Sequence, residues 1–262
     1  MTETPQAPRA PIDILVSNDD GIHAEGLRTL VAALRPLGEV TVIAPDREQS
    51  ATSHSLTLHR PLRVRSTADG ILSVDGTPTD CVLLGVHGFL KRPPALVVSG
   101  INHGPNMGND VLYSGTVAAA SEGAFLGIPS IAFSLASWDS RDFTAAGRVA
   151  HDLVKRLLER GIPRGMCLNV NIPALPFDKL RGTKVARLGK RVFRDVIVEK
   201  KDPRGKAYYW IGGEDPTWEH DEASDFHAVS EGYVSVTPLT FELTDYKGIV
   251  ELEAMGMSIH ES

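Results

Sequence analysis

The stretch IDILVSNDDG, residues 12–21, decides the fold class of this chain. It is a short apolar run that ends in polar residues, which is typical of a buried parallel β-strand followed by a loop. Apolar residues then recur at the spacing of an amphipathic helix over residues 27–34, and Pro36 and Gly38 end that pattern. The next apolar run, VTVIA at residues 40–44, completes a strand–helix–strand unit with a right-handed crossover. The sequence therefore predicts an α/β fold with a mostly parallel sheet.

The segment at residues 55–75 departs from this alternation. Its apolar residues come in short alternating runs on either side of an Asp69-Gly70 turn, which predicts an antiparallel insertion. Strand and helix signals then resume, and Thr79 or Asp80 is expected to cap the next helix. The predicted helices cover residues 80–90, 116–126 and 144–160, and the predicted strands cover residues 95–98, 130–133 and 167–170.

After Pro173 the pattern changes again, to strand-like pieces joined by loops rich in Gly, Pro and Asp. The pieces lie at residues 184–188, 207–211 and 233–236. Such extended arms are weakly stable alone, which suggests packing against another subunit. We therefore expect three parts: a disordered tail (1–11), a Rossmann-like core built as a three-layer sandwich (12–173), and an extended β-hairpin and oligomerisation region with the C-terminal segment (174–262).

The composition excludes several classes of protein. The 262 residues are 42% hydrophobic and 23% charged, as in ordinary globular proteins, and the net charge of -6 argues against binding of a nucleic-acid polymer. No uncharged apolar stretch reaches the ~18 residues that a membrane span requires, and residues 1–11 lack the apolar centre of a signal peptide. We therefore expect a cytoplasmic protein. Cys81 and Cys167 form no metal-binding pattern, and Cys81 is expected to be buried.

An acidic pair, Asp19 and Asp20, follows the first predicted strand directly. Ligands of open α/β sheets bind at the carboxyl ends of the strands, which is where this pair stands. Two adjacent carboxylates repel each other unless a cation neutralises them, and hard ions such as Mg2+ or Mn2+ prefer oxygen ligands. Gly21 allows the backbone to turn sharply after the pair. The alternative is an ordinary loop in which an aspartate caps the following helix.

Two further polar clusters follow predicted strands, at residues 46–50 and 99–106. Ser50 and Asn102 in these clusters carry neutral oxygen donors that suit a hard cation as additional ligands. Because the carboxyl ends of parallel strands meet at one edge of a sheet, these side chains are expected to lie near the acidic pair.

A fourth segment, YSGT at residues 113–116, opens an Ala-rich helix. Its free backbone amides, its hydroxyls and the helix dipole would form a cradle for an anion, built by Ser114, Gly115 and Thr116. The alternative is an ordinary N-cap. His23 and His103 border these segments in sequence, and we expect them to lie at the rim of the site as non-catalytic residues.

Several motifs occur in the order found in one known family. They are SNDDGIH (17–23), APDR (44–47) with Ser50, GTPTDC (76–81), VSGIN (98–102), GPN (104–106), YSGTVAAA (113–120), DPRG (202–205), SDF (224–226) and EGYVSVTP (231–238). They cover nearly the whole chain, from Ile12 to about Leu243. On these motifs the chain resembles the survival protein SurE family of metal-dependent nucleotidases.

The resemblance implies a fold with a swapped C-terminal β-arm, a site and a reaction. It implies one divalent cation, Mg2+ or Mn2+, bound by Asp19, Asp20, Ser50 and Asn102. It also implies a phosphate pocket formed by Ser114, Gly115 and Thr116 with Asn106 close by. Members of the family hydrolyse nucleoside 5′- and 3′-monophosphates, and some also trim short polyphosphate. They form homodimers or homotetramers by exchanging C-terminal extensions.

One residue departs from the family pattern: Ala51 follows Ser50 where glycine is usual. Alanine tolerates a positive φ less well than glycine, so the loop that carries Ser50 is expected to sit differently. For the reaction, Asp19 and Asp20 are the candidate catalytic residues: one of them, with Asp20 as the first choice, is expected to orient or deprotonate an attacking water, and direct attack by an aspartate is left open.

Two other classes of protein fit parts of the sequence. A phospho-receiver domain also carries an acidic pair after its first strand, but it takes phosphate on an aspartate after the third strand, where this chain has Ser99 and Asn102. A nucleotide-binding module without catalysis is the second, and the absence of G-x-G-x-x-G from the first strand–helix turn opposes the dinucleotide type.

Overall fold

Nine strands of the described residues form one mixed β-sheet at the centre of the fold. The computed structural model describes residues 12–192, 197–211 and 217–257, and the predicted N-terminal tail lies outside the described residues. The strands are β1 (Asp13–Ser17), β2 (Glu39–Pro45), β3 (Val64–Ser66), β4 (Leu72–Val74), β5 (Leu96–His103), β6 (Ser130–Ala136), β7 (Cys167–Pro173), β8 (Thr183–Val185), β9 (Arg191–Val192), β10 (Ile197–Lys201), β11 (Ala207–Ile211), β12 (Thr217–Trp218) and β13 (Val234–Leu239). The α-helices are α1 (Glu25–Leu34), α2 (Pro78–Leu84), α3 (Gly115–Phe125), α4 (Thr144–Arg160), α5 (Asp225–Ser230) and α6 (Tyr246–Ala254).

The order of strands in the main sheet is β3-β4-β2-β1-β5-β6-β7-β13-β8. Neighbouring strands from β4 to β7 are parallel, whereas β3 runs antiparallel to β4 and β13 runs antiparallel to β7. The chain moves from β1 to β2 on one side and later continues at β5 on the other side. This reversal makes the carboxyl ends of β1 and β5 the place where a ligand is expected to bind. The predicted α/β fold with a mostly parallel sheet is confirmed.

Different helices cover the two faces of the sheet. Ile14 and Val16 of β1 belong to a buried cluster that α1 and α4 complete, whereas Leu15 packs with Val82 of α2 and Ala119 of α3. Successive side chains of a strand point to opposite faces, so one strand contributes to both clusters. The fold is therefore the predicted three-layer sandwich. In the part of the chain that the structure describes, no helix has both the length and the apolar character needed to cross a membrane.

The helices with the strongest periodicity agree with their predictions. Helix α1 includes the predicted residues 27–34, and a 3-10 turn at Arg35–Leu37 follows it. Helix α4 has the predicted bounds, and Gly161 after it adopts a φ of 81°. Glycine favours such a φ because it has no Cβ atom, which explains why the helix ends there.

Helix α2 begins earlier and ends earlier than predicted. Its N-cap is Thr77, and the prediction of Thr79 or Asp80 as the cap is wrong. The Thr77 hydroxyl accepts the amide of Asp80 at 3.1 Å, and the Asp80 carboxylate accepts the amide of Thr77 at 2.9 Å. This reciprocal pair is a capping box, in which Asp80 is the third residue of the helix. A π-helical turn at Gly85–Phe89 follows α2, and Cys81 within the helix is buried and free, as expected.

Two segments differ in extent from their predictions. The predicted antiparallel insertion exists as the β3–β4 pair, but β4 also pairs parallel with β2, so the insertion extends the main sheet. Strand β5 continues through Ser99 to His103, where a loop was predicted. Its pairing with β6 shifts register between Ser99 and Asn102, and this irregularity is why a polar, Gly-containing sequence occurs inside a strand.

The region after residue 173 contributes both to the main sheet and to structure outside it. Strand β13 pairs with β7 and β8 pairs with β13, so the sheet crosses the predicted boundary between core and C-terminal region. Strands β10 and β11 form a separate antiparallel hairpin whose residues are all exposed, and α6 buries none of its residues. The division at residue 173 and the oligomerisation role stay predictions.

Candidate functional site

The loop between β1 and α1 carries the acidic pair, and backbone contacts hold it in place. The Asn18 side chain donates to the carbonyl oxygen of Gly21 at 3.0 Å, and the amide of Ile22 donates to the carbonyl of Pro45 at 3.0 Å. Gly21 has a φ of 89°, and a Cβ atom there would lie 3.0 Å from the backbone of Arg47. Glycine at this position therefore allows the tight turn and the close approach of the loop after β2.

Asp19 faces helix α3. It is 5% exposed, and its Oδ1 accepts a hydrogen bond from the Thr116 hydroxyl. Its backbone carbonyl accepts the amide of Gln49 at 2.7 Å. A Cβ atom on Gly115 would lie 2.7 Å from the Cβ of Asp19, so glycine is required for the helix to start this close to the carboxylate. Asp19 and the start of α3 are thus in direct contact.

Asp20 faces the other way, into a cavity of about 290 Å³. Its Oδ2 accepts the backbone amide of His103 at 3.2 Å. Burial raises the pKa of Asp20, and the neighbouring Glu48 carboxylate raises it further. The His103 amide and the charge of Arg141 oppose that shift.

Among the residues that the structure describes, no positive charge is in direct contact with the two carboxylates. Burial raises the pKa of Asp19 from its ordinary 3.8 to about 7, and the charge of Asp20 adds to the rise. None of the ion pairs formed by the described residues includes Asp19 or Asp20. A buried carboxylate without a counter-charge is unstable in its ionised form, so this arrangement fits a bound cation.

Asn102 lies at the end of β5 with an orientated side chain. It is 8% exposed, and its Nδ2 donates to the carbonyl of Gly104 at 2.8 Å. This hydrogen bond fixes the amide plane, and Oδ1 remains as the atom that can bind a cation or accept a hydrogen bond. Asn102 and the acidic pair belong to adjacent strands, β5 and β1.

Ser50 lies in the loop after β2, at the same cavity as Asp20. It is exposed, and its hydroxyl donates to Glu48 Oε1 at 2.6 Å, so the lone pairs of its oxygen stay available to a ligand. Ala51 has a φ of 56°, and Ser53 has a φ of 55°. The loop therefore has the left-handed backbone for which the family usually supplies glycine after Ser50. The hydroxyl of Ser53 donates to the carbonyl of Leu112 at 2.6 Å and ties this loop to the segment before α3.

The predicted donor set mixes side-chain types. Within residues 12–192, 197–211 and 217–257, no group of three or more His, Cys, Asp and Glu residues has a metal-binding arrangement. The predicted set instead adds one amide, that of Asn102, and one hydroxyl, that of Ser50, to the acidic pair, and both are neutral oxygen donors. Oxygen-only ligands fit Mg2+ or Mn2+ better than Zn2+.

The start of α3 offers a backbone amide to an anion. Ser114 is the N-cap, and its hydroxyl oxygen accepts the amide of Val117 at 3.0 Å. The amides of Gly115 and Thr116 belong to the first helical turn and have no intrahelical acceptor. Both the hydroxyl and the backbone amide of Thr116 hydrogen-bond the Asp19 carboxylate, so the amide left for an anion is that of Gly115.

Asn106 is part of a buried polar network that the sequence reasoning missed. Its Nδ2 donates to the Ser134 hydroxyl at 2.9 Å, and its backbone amide donates to Asn171 Oδ1 at 2.8 Å. Its carbonyl accepts from Asn169 at 2.7 Å and from Asn171 at 2.9 Å. The signal was present in NVN at residues 169–171, since two asparagines in a buried strand need partners.

The cavity beside Asp20 adds Trp138 and Arg141, which the sequence did not indicate, and Glu48 from the predicted polar cluster at residues 46–50. Trp138 and Arg141 lie in the loop after β6, which carries no recognisable motif, and only the sheet order brings it next to β5. His103 lines the cavity, as its predicted rim position requires, whereas His23 is exposed and does not line it.

Comparisons with known proteins point to one family. Residues 14–195 match the model of a protein family described as Survival protein SurE. A relative from Geobacter sulfurreducens, named 5′-nucleotidase SurE, is 51% identical over 248 residues, which are 94% of this chain and 95% of that protein. A relative of the same name from Methylococcus capsulatus is 49% identical over 241 residues, which are 92% and 96% of the two chains. The crystal structure of a SurE protein from Aquifex aeolicus matches with a TM-score of 0.83 at 44% identity, covering 93% of this chain and 99% of that chain.

Proposed function

The chain belongs to the survival protein SurE family, and from this premise we propose that it is a 5′-nucleotidase. It hydrolyses nucleoside 5′-monophosphates to nucleoside and phosphate, with one divalent cation per subunit. The observation that carries this proposal is the buried carboxylate of Asp19, which contacts the N-terminus of α3 and stands next to the half-buried Asp20. The two carboxylates suit a cation, and the N-terminus of α3 suits a phosphate anion.

The cation ligands of the proposal are Asp19, Asp20, Ser50 and Asn102, with Mg2+ or Mn2+ as the ion. The buried charge of Asp19, the fixed amide of Asn102 and the free lone pairs of Ser50 support this set. When bound, such an ion polarises a phosphate oxygen and lowers the pKa of water.

The phosphate group is proposed to lie at the start of α3. The amide of Gly115 donates to its oxygens, and the positive end of the helix dipole stabilises its charge. Ser114 can donate its hydroxyl proton while it caps the helix. Thr116 acts through its side chain on Asp19, which it holds in position. Asn106 stays a proposed phosphate neighbour, although its Nδ2 is engaged by Ser134.

The proton chemistry is assigned to the acidic pair. Asp20 faces the cavity and accepts one backbone amide, so it is the residue proposed to orient or deprotonate the attacking water. The alternative is direct attack by an aspartate on phosphorus. The stereochemistry at phosphorus separates the two, because attack by water inverts the configuration once, whereas direct attack forms an aspartyl phosphate whose hydrolysis inverts it a second time and gives net retention.

Wider properties of the family complete the proposal. They are activity on nucleoside 3′-monophosphates and short polyphosphate, a cytoplasmic location, and assembly as a homodimer or homotetramer. The exposed β10–β11 hairpin and the unburied helix α6 support the assembly, because large apolar side chains on them are exposed.

The test of the proposed function is the release of phosphate from AMP. We expect the purified protein to release phosphate with Mn2+ present, and a chelator or the substitution Asp19→Asn to abolish the release. Asp69→Asn is the matched control, because Asp69 is an exposed residue outside the site. A protein that binds AMP but releases no phosphate under these conditions would contradict the proposal.

A further inference from the structure

Trp138 presents a largely exposed indole at the cavity that Asp20 also lines. Its side chain is 68% exposed, and it lies in the loop between β6 and α4. A large aromatic side chain exposed to this extent contributes little to folding, so its position beside a functional cavity indicates a contact with a ligand.

The protein holds this indole in a fixed place. Its six-membered ring packs against Gly104, where a Cβ atom would collide with the ring. The His103 ring meets it edge to face, with centroids 6.2 Å apart. The Ser137 hydroxyl accepts the amides of Asp139 at 3.2 Å and Ser140 at 3.0 Å, which orders the loop. A platform fixed in advance binds a flat ligand without the entropic cost of ordering a side chain.

The polar groups around the cavity complement a nucleoside. Arg141 supplies hydrogen-bond donors, Glu48 supplies acceptors, and both line the cavity together with Trp138. A ribose offers hydroxyl groups and a base offers a π face, ring nitrogens and exocyclic groups, so each finds a partner here. The volume of about 290 Å³ suits one small ligand.

We propose that Trp138 is the platform on which the nucleobase of the substrate stacks, with Arg141 and Glu48 hydrogen-bonding the nucleoside. This inference rests on the proposed nucleotidase function and assigns the part of the substrate that the phosphate cradle does not hold. It makes the loop after β6 a determinant of specificity for nucleotides over phosphomonoesters that lack a base.

The test compares two substrates, AMP and ribose 5-phosphate, in steady-state kinetics. Trp138→Ala is expected to raise KM for AMP by about five- to a hundredfold, the range of base–aromatic stacking, and to leave the kinetic constants for ribose 5-phosphate unchanged. Trp138→Phe keeps an aromatic face and should restore most of the affinity for AMP. Phe89→Ala, which removes an exposed aromatic side chain outside the cavity, is the control and should change neither substrate.

The other outcomes overturn the inference in distinguishable ways. Equal loss with both substrates would mean that Trp138 supports the site structurally, and no loss with AMP would mean that it does not touch the base. If the wild-type protein releases no phosphate from either substrate, the proposed function fails separately. In that case the stacking contact is tested by calorimetry with adenosine. Equal affinity of the wild type and Trp138→Ala for adenosine overturns it.

Discussion

Replacing Asp19 with asparagine is expected to stabilise the cation-free protein above about pH 7 and to remove its response to Mn2+. The substitution keeps an oxygen that can accept the Thr116 hydroxyl, but it removes a buried negative charge. Burial raises the pKa of Asp19 from 3.8 to about 7. Because the folded-state pKa lies above the unfolded value, the wild type loses stability as the pH rises between these values, and the whole cost is present above them. That cost is at most about 4 kcal/mol.

Thermal unfolding in a chelator, at fixed protein concentration, measures this effect. At about pH 8 the Asp19→Asn variant should unfold several degrees above the wild type, and the difference should shrink as the pH is lowered towards 4. Added Mn2+ should raise the midpoint of the wild type but not that of the variant. The exposed control Asp69→Asn should behave as the wild type in both respects. The reasoning is refuted if Asp19→Asn is the less stable protein at alkaline pH in the chelator.

Two further substitutions test other parts of the site's surroundings. Ala51→Gly should stabilise the protein by up to about 1 kcal/mol in urea unfolding, because φ is 56° at this position and glycine adopts such a φ more easily than alanine. The control is Ala32→Gly on the exposed face of α1, which should destabilise the protein by a similar amount. Asp225→Asn should destabilise by about 1–3 kcal/mol, because the new amide would face the amide of Gly108, which now donates to Oδ2 at 2.8 Å. A variant as stable as the wild type in thermal unfolding would show that this carboxylate is not needed as an acceptor.

The sequence predicted those features whose signals are local. Helices α1 and α4 follow from uninterrupted apolar periodicity, and the end of α4 follows from Gly161. The position of the acidic pair could be predicted because ligands of parallel sheets bind at strand ends, whichever strands are neighbours. The start of α2 was predicted wrongly because Thr77, Thr79 and Asp80 are all of residue types that cap helices. Only the reciprocal hydrogen bonds in the folded chain select Thr77.

The features that could not be predicted depend on contacts between distant parts of the chain. The β3–β4 pair was expected as an insertion, and its pairing with β2 is set by packing that no local pattern encodes. Trp138 reaches the cavity only because β6 lies beside β5. The network around Asn106 joins residues more than sixty positions apart, so its partners are visible only in the folded chain.

Asp19 and Asp20 are consecutive, and their side chains have different surroundings. Asp19 contacts Thr116 and the start of α3, whereas Asp20 lines the cavity that also holds Trp138. A ligand with an anion at one end and a larger neutral group at the other would therefore lie across this pair, with its phosphate towards Gly115 and its remainder in the cavity. The bond to be broken would then lie beside the carboxylates. Under the proposed function, the two adjacent aspartates would separate the recognition of phosphate from the recognition of the nucleoside, and a substitution that removes one would leave the other intact.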